Sequence, residues 1–349
     1  MSNPTETCPA CGTAIAPNLL TCPNCKRLVH ADRLKQLADE ATKAPTPVEA
    51  LVAWRSALEL LPPGTRQHQV ISARIVELGQ VVDASPSAAA PKPTRGSGWR
   101  GGAAGLGTLA LVAWKFKTIG LLILTKGKFL MLGLTKASTF SSMAVAFGVY
   151  WTVFGWKFAL GLVVSIYIHE MGHVAALLRY GVKATAPLFL PGIGAIIRLQ
   201  QPLGDPRQDA RVGLAGPIWG LGAALASFGI WQATELPIWA LIARFGAMIN
   251  LFNLIPLGSL DGGRAFRSMT RTQRSLAVLG LATAWSLSTT SDTGVLLMIL
   301  VFVGVLNAAG PRPAKIPDPQ GLFAYLVLVA ALTWLTEIPD PVLGANVGN

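Results

Sequence analysis

The segment FALGLVVSIYIHEMGHVAALL, residues 158–178, constrains the fold of this chain more than any other. At ~1.5 Å per helical residue, a helix of this length crosses a hydrocarbon layer ~30 Å thick. Yet His169, Glu170 and His173 lie among its apolar residues. Ionisable side chains at such depth are costly and point to function by default. Positions i and i+4 share one face of a helix, so both imidazoles can ligate a single ion. Glu170 is next to the first of them, within reach of water held by that ion. The pattern H-E-x-x-H is short and arises by chance elsewhere, but a helix facing only lipid would not carry it.

The rest of the chain fits a membrane protein. It is 52% hydrophobic and only 13% charged, too apolar for an ordinary soluble domain. Apolar runs mark seven spans, at 138–156, 158–179, 212–232, 237–257, 275–290, 294–310 and 320–337. Arg179, Lys183, Arg198, Arg207 and Arg211 follow the second span, Arg264, Arg267, Arg271 and Arg274 the fourth, and Arg312 and Lys315 the sixth. Lys157, Glu235, Asp292, Glu337 and Asp340 fall on the other side. By the positive-inside rule this alternation places the N-terminus in the cytoplasm and the C-terminus outside. The net charge of +12 then belongs to cytoplasmic loops. A nucleic-acid partner is not expected, because no Lys/Arg run is interleaved with aromatics.

The N-terminal third is different in kind. All four cysteines lie in two C-x-x-C pairs, Cys8 with Cys11 and Cys22 with Cys25. Four thiolates close a tetrahedral zinc site, and residues 1–30 resemble a small zinc ribbon with a structural ion. The N-terminus lacks the basic and apolar regions of a secretory signal, which suits thiols in a reducing compartment. Residues 31–83 have helical spacing of apolar positions, broken at Pro62-Pro63-Gly64, and weakly resemble a tetratricopeptide-type hairpin. A Pro/Ala/Gly/Ser linker follows at 84–102. Residues 103–136 are apolar but interrupted by five lysines, and read as interfacial or re-entrant helices, with a full span as the alternative. The transmembrane domain proper is expected at 137–340.

A catalytic zinc site takes three protein ligands and one open position. His30 and His68 are the only other histidines, and both lie in the soluble region. The first glutamate after the motif is Glu235. Asp205 and Asp209 sit near Arg207 and Arg211 in what reads as a polar loop of solvated charges. Asp261 remains, in Asn253-Leu-Ile-Pro-Leu-Gly-Ser-Leu-Asp261-Gly-Gly-Arg264. Pro256 and Gly258 unwind the helix there, and Gly262-Gly263 permit close backbone approach. A carboxylate on such a break either turns inward to a metal or caps the next helix.

HEMGH inside a span, followed by NLIPLGSLDGG, resembles the site-2 protease family of intramembrane zinc metalloproteases (peptidase family M50) over residues 118–310. The resemblance implies zinc ligation by His169, His173 and Asp261, with Glu170 as catalytic base. It implies that Asn253, which opens the second motif, contacts substrate or the developing oxyanion. It also implies cleavage of membrane-spanning protein substrates within the bilayer. The segment 188–198, two short strands around Pro191-Gly192, is similar to one thought in the family to offer a strand edge to an unwound substrate. Leu214-Ala-Gly-Pro217-Ile-Trp-Gly220 resembles the family's Gly-Pro element, although many members have Asn where this chain has Gly220.

The expected fold is therefore mainly α: a polytopic helical membrane protein of six to eight transmembrane helices. A short β-hairpin lies near the active site, and a zinc ribbon and helical hairpin precede the membrane part. The N-terminal unit is expected to recognise a cytoplasmic partner or to gate access. Two rival functions stand beside the protease. One is a non-proteolytic membrane scaffold that retains the zinc site. The other is an ion transporter, which would spread acidic residues over several spans where this chain concentrates them at one locus.

Overall fold

The computed structural model describes residues 6–16, 19–84, 137–182, 187–190, 194–196, 203, 205–310 and 313–338. The expected linker beyond Ala84, the segment 103–136, and Pro191, Gly192 and Arg198 of the expected hairpin lie outside the described residues. Among those described, the protein is mainly helical. The order is β1 (Glu6–Thr7), β2 (Ala14–Ile15), α1 (Ala31–Lys43), α2 (Pro47–Glu59), α3 (Arg66–Ala84), α4 (Ala137–Phe154), α5 (Trp156–Arg179), β3 (Leu188–Leu190) and β4 (Gly194–Ile196). Then come α6 (Pro206–Thr234), α7 (Pro237–Asn253), α8 (Asp261–Arg267), α9 (Arg271–Leu287), α10 (Ser291–Ala309) and α11 (Pro319–Thr336). The strands form two antiparallel pairs, β1 with β2 and β3 with β4, the second in the register Leu188 to Ile196 and Leu190 to Gly194.

Five helices, α4, α5, α6, α10 and α11, are long and apolar enough to cross a membrane. Helices α7 and α9, at 17 residues each, are slightly shorter and occupy the other two expected spans. Several helix ends differ by a few residues from those read in the sequence, and two of the shifts have identifiable reasons. Helix α7 stops at Asn253 because Pro256 has no N–H to donate and disfavours helical geometry at Ile255 before it. Helix α6 starts at Pro206 rather than near 212, because Asp205 accepts a hydrogen bond from the Arg207 N–H at 2.8 Å and Pro206 suits the first helical position. Asp205 and Asp209 are therefore not solvated loop charges. Asp205 is the cap, and Asp209 accepts from Arg264 Nε at 2.9 Å and from Arg267 at 2.8 Å.

The main core lies where α6–α11 meet, around Leu251, Leu254, Phe266, Leu297, Tyr325 and Leu332. Large apolar side chains such as Trp151, Leu279, Phe302 and Phe323 face outward from the bundle. Exposed apolar surface on this scale suits a lipid solvent and would be a liability in water.

The N-terminal helices dock on the end of the bundle where α5 finishes. Leu51, Ile75 and Val82 of α2 and α3 share one buried cluster with Leu177, Tyr180, Val182 and Val212. Arg55 Nε donates to the Tyr180 carbonyl at 2.8 Å, Arg179 donates to the Val82 carbonyl at 2.5 Å, and the Tyr180 hydroxyl donates to Asp83. Gly181, at φ +66°, makes the turn, and a Cβ there would lie 2.9 Å from Val52 N.

Between α7 and α8 the chain is not helical; Leu254, Ile255 and Pro256 are buried there, so their backbone groups need partners, while residues 257–259 are exposed. The Tyr325 hydroxyl donates to the Leu254 carbonyl at 2.9 Å, Asn307 Nδ2 to the Pro256 carbonyl at 3.0 Å, and Arg267 to the Gly258 carbonyl at 2.7 Å. Tyr325→Phe leaves the Leu254 carbonyl without its donor. It is expected to destabilise the protein by about 0.5–1.5 kcal/mol, read as a lowered melting temperature in detergent.

Candidate metal centre

Helix α5 carries His169 and His173 one turn apart on its inward face, and both are buried, as are Glu170 and Asp261. The two Nε2 atoms are 3.1 Å apart. Asp261 places Oδ2 at 3.3 Å from His169 Nε2 and Oδ1 at 3.4 Å from His173 Nε2. The three ligand atoms lie within 4.8 Å of one another, so this group could hold one metal ion. Two imidazole nitrogens and a carboxylate oxygen form the donor set of a three-ligand zinc site with an open position. The backbone of α6 faces the same point. A Cβ on Gly216 would lie 2.3 Å from His173 Nε2 and 2.7 Å from His169 Nε2, so the space beside both nitrogens is kept clear of any side chain. The residues present fit a metal.

Small residues and broken helices bring these groups together. A Cβ on Gly172 would meet the Ala215 carbonyl at 2.4 Å, so α5 and α6 approach backbone to backbone at the motif. Pro217 lies inside α6 and removes the donor for the Gly213 carbonyl. One residue earlier, the Val212 carbonyl accepts from His173 Nδ1 at 2.7 Å. Val212 also belongs to the cluster under α2 and α3, so the N-terminal helices pack against the turn that holds this histidine. Asp261 is the first residue of α8 and its side chain does not cap that helix; the N-cap is Leu260. Gly262 and Gly263 let α8 pack against the unwound strand, where added Cβ atoms would lie 1.9 Å from the Leu254 carbonyl and 2.7 Å from the Gly258 carbonyl. Asp209 then clamps α8 from α6 through Arg264 and Arg267.

A cavity of about 370 Å³ opens beside the cluster, lined by His169, Glu170, Asn250 and Asn253 together with apolar groups such as Ile166, Phe245 and Leu296. Asn253 is thus placed on the cavity wall. Phe189 of β3 is buried near this region, stacked on Tyr167 with ring centroids 6.4 Å apart, and its N–H donates to Ser142 of α4 at 3.1 Å. One residue of the site belongs to neither sequence motif. Asn250 is 2% exposed, and its Oδ1 lies 2.7 Å from His169 Nδ1. The signal in the sequence is a second amide three residues before Asn253, on a helix whose other residues are apolar except for Arg244.

The four cysteines form a second, separate group within the same distance limit. Cys8 Sγ lies 3.8 Å from Cys25 Sγ, and Cys11 Sγ lies 3.6 Å from Cys22 Sγ. Each pair sits on a turn closed by a backbone bond, Gly12 N–H to the Cys8 carbonyl at 2.8 Å and Lys26 N–H to the Cys22 carbonyl at 3.0 Å. Gly12 and Lys26 both take positive φ there. A hydrogen bond from the Thr13 hydroxyl brings the Cys11 thiol down to about 6. Cys25 is pushed up to about 11, against the lowering Arg27 amide, by burial and the neighbouring sulfurs. His30 and His68 belong to neither group.

Residues 157–235, from the first turn of α5 to the end of α6, match the family model described as peptidase family M50. The chain is similar to a zinc metalloprotease of Methanocaldococcus jannaschii, at 31% identity over 127 residues, which covers 35% of each protein. It is also 26% identical over 226 residues to a protein of Arabidopsis thaliana named as a probable chloroplastic zinc metalloprotease, covering 50% of this chain and 40% of that one. The matched regions span well under half the length of these relatives. The resemblance carried by HEMGH and NLIPLGSLDGG is therefore supported independently, and the similarity is to zinc metalloproteases. Gly216→Val is expected to abolish metal uptake at the His-His-Asp centre and to leave the four-cysteine group loaded, read as a drop of one zinc per chain by elemental analysis.

Proposed function

We propose that this protein is a zinc-dependent endopeptidase that hydrolyses peptide bonds of membrane-spanning substrates within the bilayer. The observation that carries the reading is the convergence of His169, His173 and Asp261 beside Glu170, next to a cavity lined by His169 and Glu170 among helices apolar enough to cross a membrane. The M50 match over the helices that bear the two histidines and Gly216 supports it.

Zinc bound by these three ligands supplies Lewis-acid polarisation of the scissile carbonyl and acidifies water. Glu170, adjacent to His169 and on the cavity wall, accepts the proton of the attacking water at its carboxylate. It then delivers that proton to the departing amide nitrogen. Asn253 lies on the wall of the same cavity, and its amide is assigned the role of donor to substrate or to the developing oxyanion. The apolar lining of Ile166, Phe245 and Leu296 receives hydrophobic side chains of the cleaved segment. A helical substrate hides its amides, so it unwinds before cleavage. The β3–β4 hairpin, fixed to α4 and α5 through Phe189, offers the edge on which an unwound segment adds as a strand.

Orientation follows from charge. Arg179, Arg207, Arg211, Arg264 and Arg267 gather at the end of the bundle where α2 and α3 dock, and that end faces the cytoplasm. The four-cysteine group carries a structural zinc, and the N-terminal unit recognises a cytoplasmic partner or gates the site through its contact with Val212. Glu170→Gln preserves size and hydrogen bonding but removes the base. It is expected to retain both zinc ions and lose at least ~10²-fold in cleavage rate, measured on membrane peptides released from cells expressing either protein. Undiminished cleavage by that variant would remove Glu170 from the mechanism.

A further inference from the structure

We infer that Asn250 is a positioning residue for the metal centre, reaching from α7 into space that Gly220 leaves free on α6, and that the two residues form an interdependent pair. The inference rests on reading His169, His173 and Asp261 as metal ligands.

The amide of Asn250 has a defined orientation. Its Nδ2 donates to the Gly246 carbonyl at 2.7 Å, a group that can only accept. The other end, Oδ1, therefore faces His169 Nδ1 at 2.7 Å, and an amide oxygen can only accept. The His169 proton accordingly sits on Nδ1. Nε2 keeps its lone pair, directed toward His173 Nε2 and Asp261. The Val212 carbonyl sets the same tautomer on His173. The two supports differ in kind, because Val212 uses backbone and Asn250 uses a side chain that must be held in place.

Gly220 is what allows it. A Cβ at position 220 would lie 2.0 Å from Asn250 Oδ1 and 2.4 Å from both Cγ and Nδ2. No other side chain at 220 coexists with this placement of Asn250. The position where the sequence departs from the family pattern is thus the one that makes room for the amide supporting His169. A partner of this type orients the ligand ring and raises its basicity, and its loss typically costs 10–100-fold in metal affinity.

The test uses full-length protein in detergent. Zinc affinity is measured by competition with a chromophoric chelator, with the four-cysteine site as internal reference. Asn250→Leu keeps the volume and loses the acceptor; Gly220→Ala leaves Asn250 intact and displaces it; Asn250→Asp keeps the acceptor. The Leu and Ala variants are expected to lose roughly 10–100-fold in affinity at the central site. The reference site and the melting temperature of the zinc-free protein stay near wild type, and the Asp variant binds within a few-fold of it. Wild-type zinc affinity in a folded Asn250→Leu protein overturns the inference. Should that variant not fold, loss of central zinc from folded Asn250→Asp overturns it equally. A wild-type protein that takes up zinc only at the cysteines is a different failure, since it removes the metal centre itself and this inference with it.

Discussion

Two imidazoles and a carboxylate meet within hydrogen-bonding distance in the interior of an apolar bundle, and the rest of the structure depends on how that cost is met. Polar groups withdrawn from water without compensation cost several kcal/mol each. The contacts of Asp261 with the two imidazoles at 3.3 and 3.4 Å offset part of that cost, and a divalent cation would offset it for all three at once. The demand explains features that would otherwise be unrelated. Gly216 must lack a side chain, Pro217 must loosen α6, and α7 must stop short so that Asp261 can enter from a new helix.

The broken helix is the most demanding of these. It leaves the buried carbonyls of Leu254 and Pro256 to be answered by side chains of other helices, Tyr325 from α11 and Asn307 from α10, while the Gly258 carbonyl at the exposed end of the break accepts from Arg267 of α8. The ion pairs at the basic end do related work. Asp209 fastens α8 to α6, and Arg211 binds Asp318 at the start of α11 at 2.6 Å and 3.0 Å. Charges that resemble loop polarity in the sequence thus brace the element that carries Asp261.

What the sequence revealed follows from the range of each interaction. HEMGH is legible because i and i+4 geometry is local, and the glycines and prolines around Asp261 announce a break without any knowledge of the fold. The Cys-x-x-Cys turns are legible for the same reason. Asn250 is not, because its role depends on His169, 81 residues away, and on the missing Cβ of Gly220 on a third helix. The docking of α2 and α3 on Tyr180 and Val212 is hidden likewise, since their apolar faces read only as generic amphipathic helices. Asp205 and Asp209 read as loop charges because a capped, polar first turn has the composition of a loop.

The central claim is a metal held by His169, His173 and Asp261, distinct from the one held by cysteines. X-ray absorption at the zinc edge tests it most directly, on full-length protein carrying Cys8→Ser and Cys22→Ser to empty the sulfur site. The expected spectrum shows only nitrogen and oxygen neighbours at about 2.0–2.2 Å, with imidazole scattering. Absence of zinc from that protein, or persistence of sulfur neighbours at about 2.3 Å, would contradict a metal at the His-His-Asp centre.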